Sequence, residues 1–260
     1  MTTLYAPTAT PMPMAPSPLA RLTRVELRKA TDTRSGRWLL ALIAVIAVAG
    51  ALVAALTGGA SDHTLASILG VTGQVTVILL PVLGILLVTS EWSQHSALTT
   101  FTLVPRRSRV IAAKAAAAVL LAVAATAACL VIAVPATALA THGPGAPHGT
   151  WAGAGAAIGQ VLVFEVLNVL LGVAFGLVFR SSAVAIVIYF ALPTGWSILT
   201  ATVSALTGVG HWLDPGTTWD HLAGGTLTAT TWAQVAATAG VWIVIPAAAG
   251  LWRLIREPVG

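Results

Sequence analysis

The sequence predicts an all-α integral membrane protein with six transmembrane helices, and three observations support this fold class. Hydrophobic residues occupy 57% of the 260 positions and charged residues only 8%, whereas about a quarter of the residues in soluble domains are charged. Six apolar runs are each long enough to cross a hydrocarbon core of about 30 Å. All 13 Lys and Arg residues lie in alternate segments between those runs. Because basic residues collect in cytoplasmic loops, we expect both termini inside the cell and the chain in the cytoplasmic membrane.

The N-terminal region is expected to hold a disordered tail and then an interfacial helix. Residues 1–16 are rich in Thr, Pro and Met and do not follow the pattern of a signal peptide. Residues 17–33 predict an amphipathic helix that begins at Ser17-Pro18. Its apolar side carries Leu19, Leu22 and Ala30, and its basic residues are Arg21, Arg24, Arg28 and Lys29. The apolar side would lie among acyl chains while the arginines meet anionic headgroups; the alternative is a solvated cytoplasmic helix.

The six spans are predicted within a single membrane domain that covers residues 17–260. Their approximate bounds are 38–57, 65–90, 110–140, 151–179, 183–206 and 232–252. Pro81 with Gly84 predicts a kink in the second span, and Pro193-Thr-Gly195 predicts an interruption of the fifth. The third span is longer than the core requires, so it is expected to tilt or to project beyond the membrane.

Two further patterns concern how the spans pack and connect. Gly172 and Gly176, four residues apart in the fourth span, predict close packing against another helix. Residues 207–231 are too apolar for a free loop and too interrupted for a span. They predict short re-entrant helices that dip into the outer leaflet between the fifth and sixth spans.

Glu165 is the one ionisable residue deep inside a predicted span, where an ionised carboxylate costs about 3 kcal/mol. One interpretation is a polar element of a translocation path, with Asn168 in the same span and Pro193 and Gly195 in the next. The alternative is a protonated or hydrogen-bonded packing residue. The sequence leaves both open.

The motifs of several other classes of protein are absent. The chain has no Gly-rich phosphate loop ending in Gly-Lys-Ser/Thr, no Gly-x-Ser-x-Gly nucleophile and no zinc-binding His pair with a Glu. A metal site built from His142, His148, His211 and His221 stays an alternative to solvated loop histidines. Cys129 is the only cysteine and lies in an apolar run, which indicates a buried small residue. We therefore expect no enzyme activity, no bound cofactor or metal, and no nucleic-acid partner.

The segment between the second and third spans is the most informative part of the chain. Glu91 ends the second span, Pro105-Arg106-Arg107-Ser108-Arg109 follows, and Lys114 begins the third. With the basic entry helix and six spans, this order resembles the permease subunits of ABC-2 type transporters, the membrane half of a type V ABC exporter. His95-Ser96 stands where that family commonly has Gly-Thr.

The resemblance implies an exporter subunit for a small molecule, lipid, peptide or antibiotic. It implies that ATP and Mg are bound by a separate cytoplasmic ATPase subunit, and that two identical or paralogous permeases pair. It places the contact with the ATPase at Glu91, Trp92, Gln94, His95, Thr99, Thr100 and Phe101, followed by the cytoplasmic basic cluster of Arg106, Arg107, Arg109 and Lys114. The alternatives are a non-transporting immunity or assembly protein on the same scaffold, a secondary transporter and, last, an intramembrane enzyme.

Overall fold

The structure, a computed structural model, describes residues 18–57, 63–93, 107–141, 151–223 and 227–256. Within these ranges all regular elements are helices, and six of them are long and apolar enough to cross a membrane. The chain is therefore a multi-pass helical membrane protein. The predicted tail of residues 1–16 lies outside the described residues, as do residues 94–106.

An amphipathic helix and five of the spans come first in the chain. They are α1 (Leu19–Asp32), α2 (Arg34–Thr57), α3 (Leu65–Ser93), α4 (Arg107–Ala140), α5 (Ala154–Phe179) and α6 (Ser182–Thr202). Each agrees with its predicted bounds to within four residues at either end. Helix α4 has 34 residues, or about 51 Å at 1.5 Å per residue, so it is longer than the hydrocarbon core requires, as predicted.

The C-terminal part of the chain consists of short helices and a last span. After a 3₁₀ turn at Ser204–Leu206 come α7 (Thr207–Leu213), α8 (Pro215–Asp220) and a second 3₁₀ turn, His221–Ala223. The last span is continuous and comprises α9 (Ala229–Ala239), a π-helical turn (Gly240–Val244) and α10 (Ile245–Arg256). Pro246 has no N–H to donate to the carbonyl of Trp242, and this missing hydrogen bond explains a π turn at that point.

The predicted interruption of the fifth span is wrong, because α6 runs through Pro193 as one helix. Helix α3 also runs through Pro81 without a break, and the kink predicted there stays a prediction. A proline inside a membrane helix is tolerated where neighbouring groups satisfy the carbonyl that loses its partner. The fifth span also ends earlier than predicted, at Thr202, because Val203 has an extended backbone.

Helices α3 and α5 form the centre of the bundle and touch through glycines. A Cβ atom on Gly172 would overlap the carbonyl oxygen of Pro81, and one on Gly84 would lie 2.8 Å from the carbonyl oxygen of Val169. A Cβ on Gly176 would lie 3.1 Å from the Cβ of Val88. The two backbones are therefore in direct contact, and the packing predicted from Gly172 and Gly176 is confirmed.

One end of the bundle collects the basic residues from distant parts of the sequence. The Arg107 side chain donates to the Leu254 carbonyl, and Arg253 Nη1 donates to the Val178 carbonyl at 3.3 Å. The Arg180 guanidinium lies 5.7 Å from the ring centroid of Trp92. We call this the basic end. Helix α1 belongs to it as well, through the ion pairs described below.

The short helices between the last two spans fold back onto the bundle. Trp219 and Leu222 are 2% and 1% exposed and lie in an apolar cluster with Tyr189 and Trp242. Trp242 Nε1 donates to the Leu213 carbonyl at 2.7 Å. The prediction of short helices in this connection is confirmed, and they form a compact cap over α5, α6 and the last span.

Candidate functional site

Four charged side chains from three helices meet at the basic end. Lys114 Nζ lies 2.7 Å from Glu26 Oε2 and 3.1 Å from Glu91 Oε1. Lys29 Nζ lies 2.8 Å from Glu26 Oε1 and 3.4 Å from Glu91 Oε1. We call Glu26, Lys29, Glu91 and Lys114 the charge cluster. It joins the entry helix α1, the end of α3 and the start of α4.

The charge cluster is buried, with two positive and two negative charges. The side chain of Lys114 is fully buried, those of Glu91 and Glu26 are 2% and 6% exposed, and only Lys29 reaches the surface. Lys114 also donates to the Leu87 carbonyl at 2.8 Å, so its ammonium group has three acceptors for three hydrogens. Neutralisation and hydrogen bonding offset the cost of removing these charges from water.

Lys29 shows how the cluster acts on a single group. Burial lowers the pKa of its ammonium, but the hydrogen bond and charge of Glu26, and then those of Glu91, raise the pKa above its ordinary value of 10.5. A raised pKa in the folded state favours the protonated form. The resulting stabilisation is fully present below the unfolded-state pKa and is lost as pH rises through the raised value. Lys29 therefore stays charged at neutral pH.

Glu26 is not among the predicted site residues, although the pattern of α1 contains a signal for it. Glu26 is four residues after Leu22 and four before Ala30, and both of these lie on the apolar side of the helix. A carboxylate that stays ionised on the apolar side of an amphipathic helix is neutralised most directly by a buried cation. Lys114, one of only two lysines in the chain, is that cation.

The residues predicted to contact an ATPase are only partly within the described ranges. Glu91 points into the charge cluster, and Trp92 is half-buried beneath Arg180. The remaining members, Gln94, His95, Thr99, Thr100 and Phe101, lie outside the described residues. Their contact with an ATPase stays a prediction.

The predicted basic cluster does not remain one group in the structure. Arg107 and Arg109 are half-buried at the start of α4, whereas Lys114 is enclosed two turns further on. Arg106 lies outside the described residues. On α1, the side chains of Arg21, Arg24 and Arg28 are exposed, as the amphipathic pattern predicts.

Glu165 occupies a second polar site, in the interior of the bundle. Its side chain is fully buried on α5, where Thr76 of α3 and Thr126 of α4 contact its two carboxyl oxygens. The Thr126 hydroxyl donates to Glu165 Oε2 at 2.8 Å. Asn168 does not join this site. It accepts from the Tyr189 hydroxyl at 3.1 Å and donates to the Phe164 carbonyl at 2.8 Å.

The contacts of Thr76 accommodate a protonated Glu165. The Thr76 hydroxyl contacts both the Gly73 carbonyl, at 2.7 Å, and Glu165 Oε1. A hydroxyl carries one hydrogen. If Thr76 donates it to Gly73, the contact with Glu165 requires a hydrogen on the carboxyl group. A neutral carboxyl thus satisfies every polar contact at this site without burying a charge.

We predict that Glu165→Gln changes the free energy of unfolding by less than about 1 kcal/mol, because an amide keeps one donor and one acceptor. Glu165→Ala should cost about 1–3 kcal/mol, since it leaves a cavity and removes the contacts of Thr76 and Thr126 with the carboxyl group. SDS titration in mixed micelles measures both values. An equal loss in the two variants would show that Glu165 is ionised and depends on its charge.

The other candidate translocation residues lie around a separate cleft or on the surface. A cleft of about 230 Å³ lies between α3, α5, α6 and α8, and Asn168 and Pro193 border it together with Val77, Tyr189, Trp219 and Asp220. Pro81 and Pro193 have no N–H to donate to the carbonyls of Val77 and Tyr189, two residues that border the cleft. Glu165 is not part of its wall, and Gly195 is exposed on α6.

The described residues contain no group of three or more His, Cys, Asp or Glu side chains that could hold a metal ion. His142 and His148 of the alternative metal site lie outside the described ranges. Cys129 is 1% exposed among apolar side chains of α2, α3 and α4. This location agrees with its interpretation as a buried small residue.

No protein-family model matches this chain, and a search of curated proteins finds no match either. The chain is a multi-pass helical membrane protein with a buried charge cluster at one end and a hydrogen-bonded carboxyl group in its interior.

Proposed function

We propose that this chain is the membrane-spanning permease subunit of an ABC-2 type exporter. The observation that carries the proposal is the order of residues from Glu91 through Arg106 and Arg107 to Lys114, within a six-span chain that follows a basic entry helix. A separate cytoplasmic subunit would bind ATP and Mg, and a second permease would complete the transporter. The cargo would be a small molecule, lipid, peptide or antibiotic.

The charge cluster supports this proposal because it could transmit the movement of an ATPase to the spans. A permease without a nucleotide site needs a stiff surface that transmits the movement of its ATPase to the spans. Glu91 and Lys114 stand on either side of residues 94–106, and Lys114 pairs with both Glu91 and Glu26, which ties both flanks to α1. Residues 94–101 would supply the contact surface, and Glu91, paired with Lys114, would anchor the start of that segment.

The orientation follows from the positive-inside rule. With the basic end in the cytoplasm, both termini are cytoplasmic and the cap of short helices faces the outer leaflet as a re-entrant element. The cleft beside Asn168 and Pro193 then opens from the spans toward that cap. It is our candidate for part of the translocation path.

Co-purification tests the proposal directly. The tagged chain, extracted from its own cells in mild detergent, should recover a subunit that hydrolyses ATP and is identified by mass spectrometry. If an intact, monodisperse preparation recovers no nucleotide-binding subunit, the exporter proposal fails. Export of cargo from reconstituted vesicles would exclude a non-transporting immunity or assembly protein.

Phe101→Ala is expected to lower the ATP hydrolysis stimulated in that complex by about 10-fold, the effect of losing one buried aromatic contact worth about 1.4 kcal/mol. The matched control is Trp151→Ala, because Trp151 is an exposed aromatic residue at the opposite end of the bundle. Equal activities of the two variants would contradict the predicted contact surface.

A further inference from the structure

An apolar groove follows the line where the entry helix packs against the third span. Its volume is about 660 Å³, within the range of about 300–1,000 Å³ that is typical of ligand pockets. Its walls include Leu19, Thr23 and Leu27 of α1 and Ala116, Val119 and Leu120 of α4. Leu19 and Leu120 are 42% and 46% exposed, so the groove is open along its outer side.

One charged side chain, Arg24, lines this otherwise apolar groove. Arg21 lies one turn earlier on the helix, and both side chains are exposed. Neither makes an ion pair with a residue in the part of the chain that the structure describes. The groove thus has an apolar floor and an unneutralised positive rim.

The position of the groove along α4 matches the boundary between headgroups and acyl chains. Helix α4 exceeds a hydrocarbon core of about 30 Å by roughly 21 Å. The first eight residues of α4 include Arg107, Arg109 and Lys114. The excess length of the helix therefore lies at the basic end. Ala116 and Leu120 stand about 14 and 20 Å from the start of the helix. Apolar contact with lipid therefore begins at the groove.

We propose that the groove binds one anionic phospholipid, with an acyl chain along α4 and its phosphate at Arg24 and Arg21. A guanidinium group bonds phosphate oxygens through two parallel N–H donors, and two arginines favour a headgroup of net negative charge over a zwitterionic one. The pair of Glu26 and Lys114 holds α1 against α4, the two helices that form the groove. The site requires only a membrane and is independent of the proposed transport.

Native mass spectrometry tests this site on the full chain in nanodiscs of phosphatidylglycerol and phosphatidylcholine. One phosphatidylglycerol should remain bound after release from the nanodisc, in preference to phosphatidylcholine. Arg24→Gln should weaken its retention about fivefold, the effect expected from one basic residue at a membrane surface. The matched control is Arg28→Gln, which removes the same charge from the same exposed helix but does not border the groove.

A second variant tests the apolar part of the site. Ala116→Phe leaves every charge in place and obstructs part of the groove, so it should also weaken the preferential retention of phosphatidylglycerol. Equal retention by Arg24→Gln and Arg28→Gln would overturn the proposal in favour of diffuse attraction to an anionic surface. Unchanged retention in Ala116→Phe, with the protein monodisperse, would likewise exclude an acyl chain in the groove.

Discussion

Lys114→Met is expected to lower the free energy of unfolding by about 3–5 kcal/mol, the cost of removing one partner from a buried ion pair. The methionine fits the space of the lysine stem, but Glu26 and Glu91 lose their enclosed cation, and the Leu87 carbonyl loses its donor. SDS titration in mixed micelles would measure the loss. The same loss of stability should lower the yield of folded protein in cells.

Lys29→Met is the matched control for this prediction, because Lys29 pairs with the same two glutamates. Its side chain is 42% exposed, and a surface ion pair contributes only about 0–1 kcal/mol. Equal stability of the two lysine variants would contradict this prediction. It would show that burial does not explain the contribution of Lys114 to the free energy of unfolding. A double-mutant cycle with Glu26→Gln should show coupling, because Lys114 and Glu26 act through one contact.

The spans could be predicted from the sequence because a bilayer imposes a length and a composition on each helix. The predicted second span of residues 65–90 and the observed α3, Leu65–Ser93, differ only at the end, where the chain leaves the membrane. The number of spans was predicted in the same way. Boundaries shift by a turn because apolar content does not determine where a helix ends.

The charge cluster could not be predicted in full, because it depends on which helices are neighbours. Lys114 and Arg109 are five residues apart, and the sequence gives both the same pattern of a basic residue near the start of a helix. In the structure it is Lys114 that pairs with Glu26 of α1. Glu91 likewise reads as a surface residue beside Trp92. A pairing of residues 88 positions apart, such as Glu26 with Lys114, requires the tertiary arrangement.

The sequence indicates the Glu165 site through the free-energy cost of placing a carboxyl group in a membrane span. It does not indicate which residues contact that group. A carboxyl group in the middle of an apolar run requires an explanation from sequence alone, and Glu165 was identified for that reason. Thr76 and Thr126 carried no comparable signal, because a threonine in a membrane helix ordinarily bonds its own backbone. Asn168 is three residues from Glu165 in the same span, but it bonds Tyr189 on the next span.

Gly172→Ala is expected to destabilise the protein by about 1–3 kcal/mol, the usual cost of forcing extra atoms into a packed core. The added methyl group would overlap the Pro81 carbonyl, so α3 and α5 must separate. The matched control is Gly195→Ala, since a Cβ on Gly195 meets no atom within 4 Å. That variant should be neutral or up to about 1 kcal/mol more stable, because Ala favours a helix more than Gly.

Separation of α3 and α5 should also weaken the hydrogen bonding of the Glu165 carboxyl group. Thr76 and Glu165 stand on these two helices, so the contact between them depends on the spacing that Gly172 permits. Gly172→Ala should therefore weaken that hydrogen bond, and adding Thr76→Val should then cost less than it does in the unmodified protein. Additive losses in this cycle would show that the glycine contact and the Glu165 site are independent. Non-additive losses would establish the α3–α5 contact as the element that positions the buried carboxyl group.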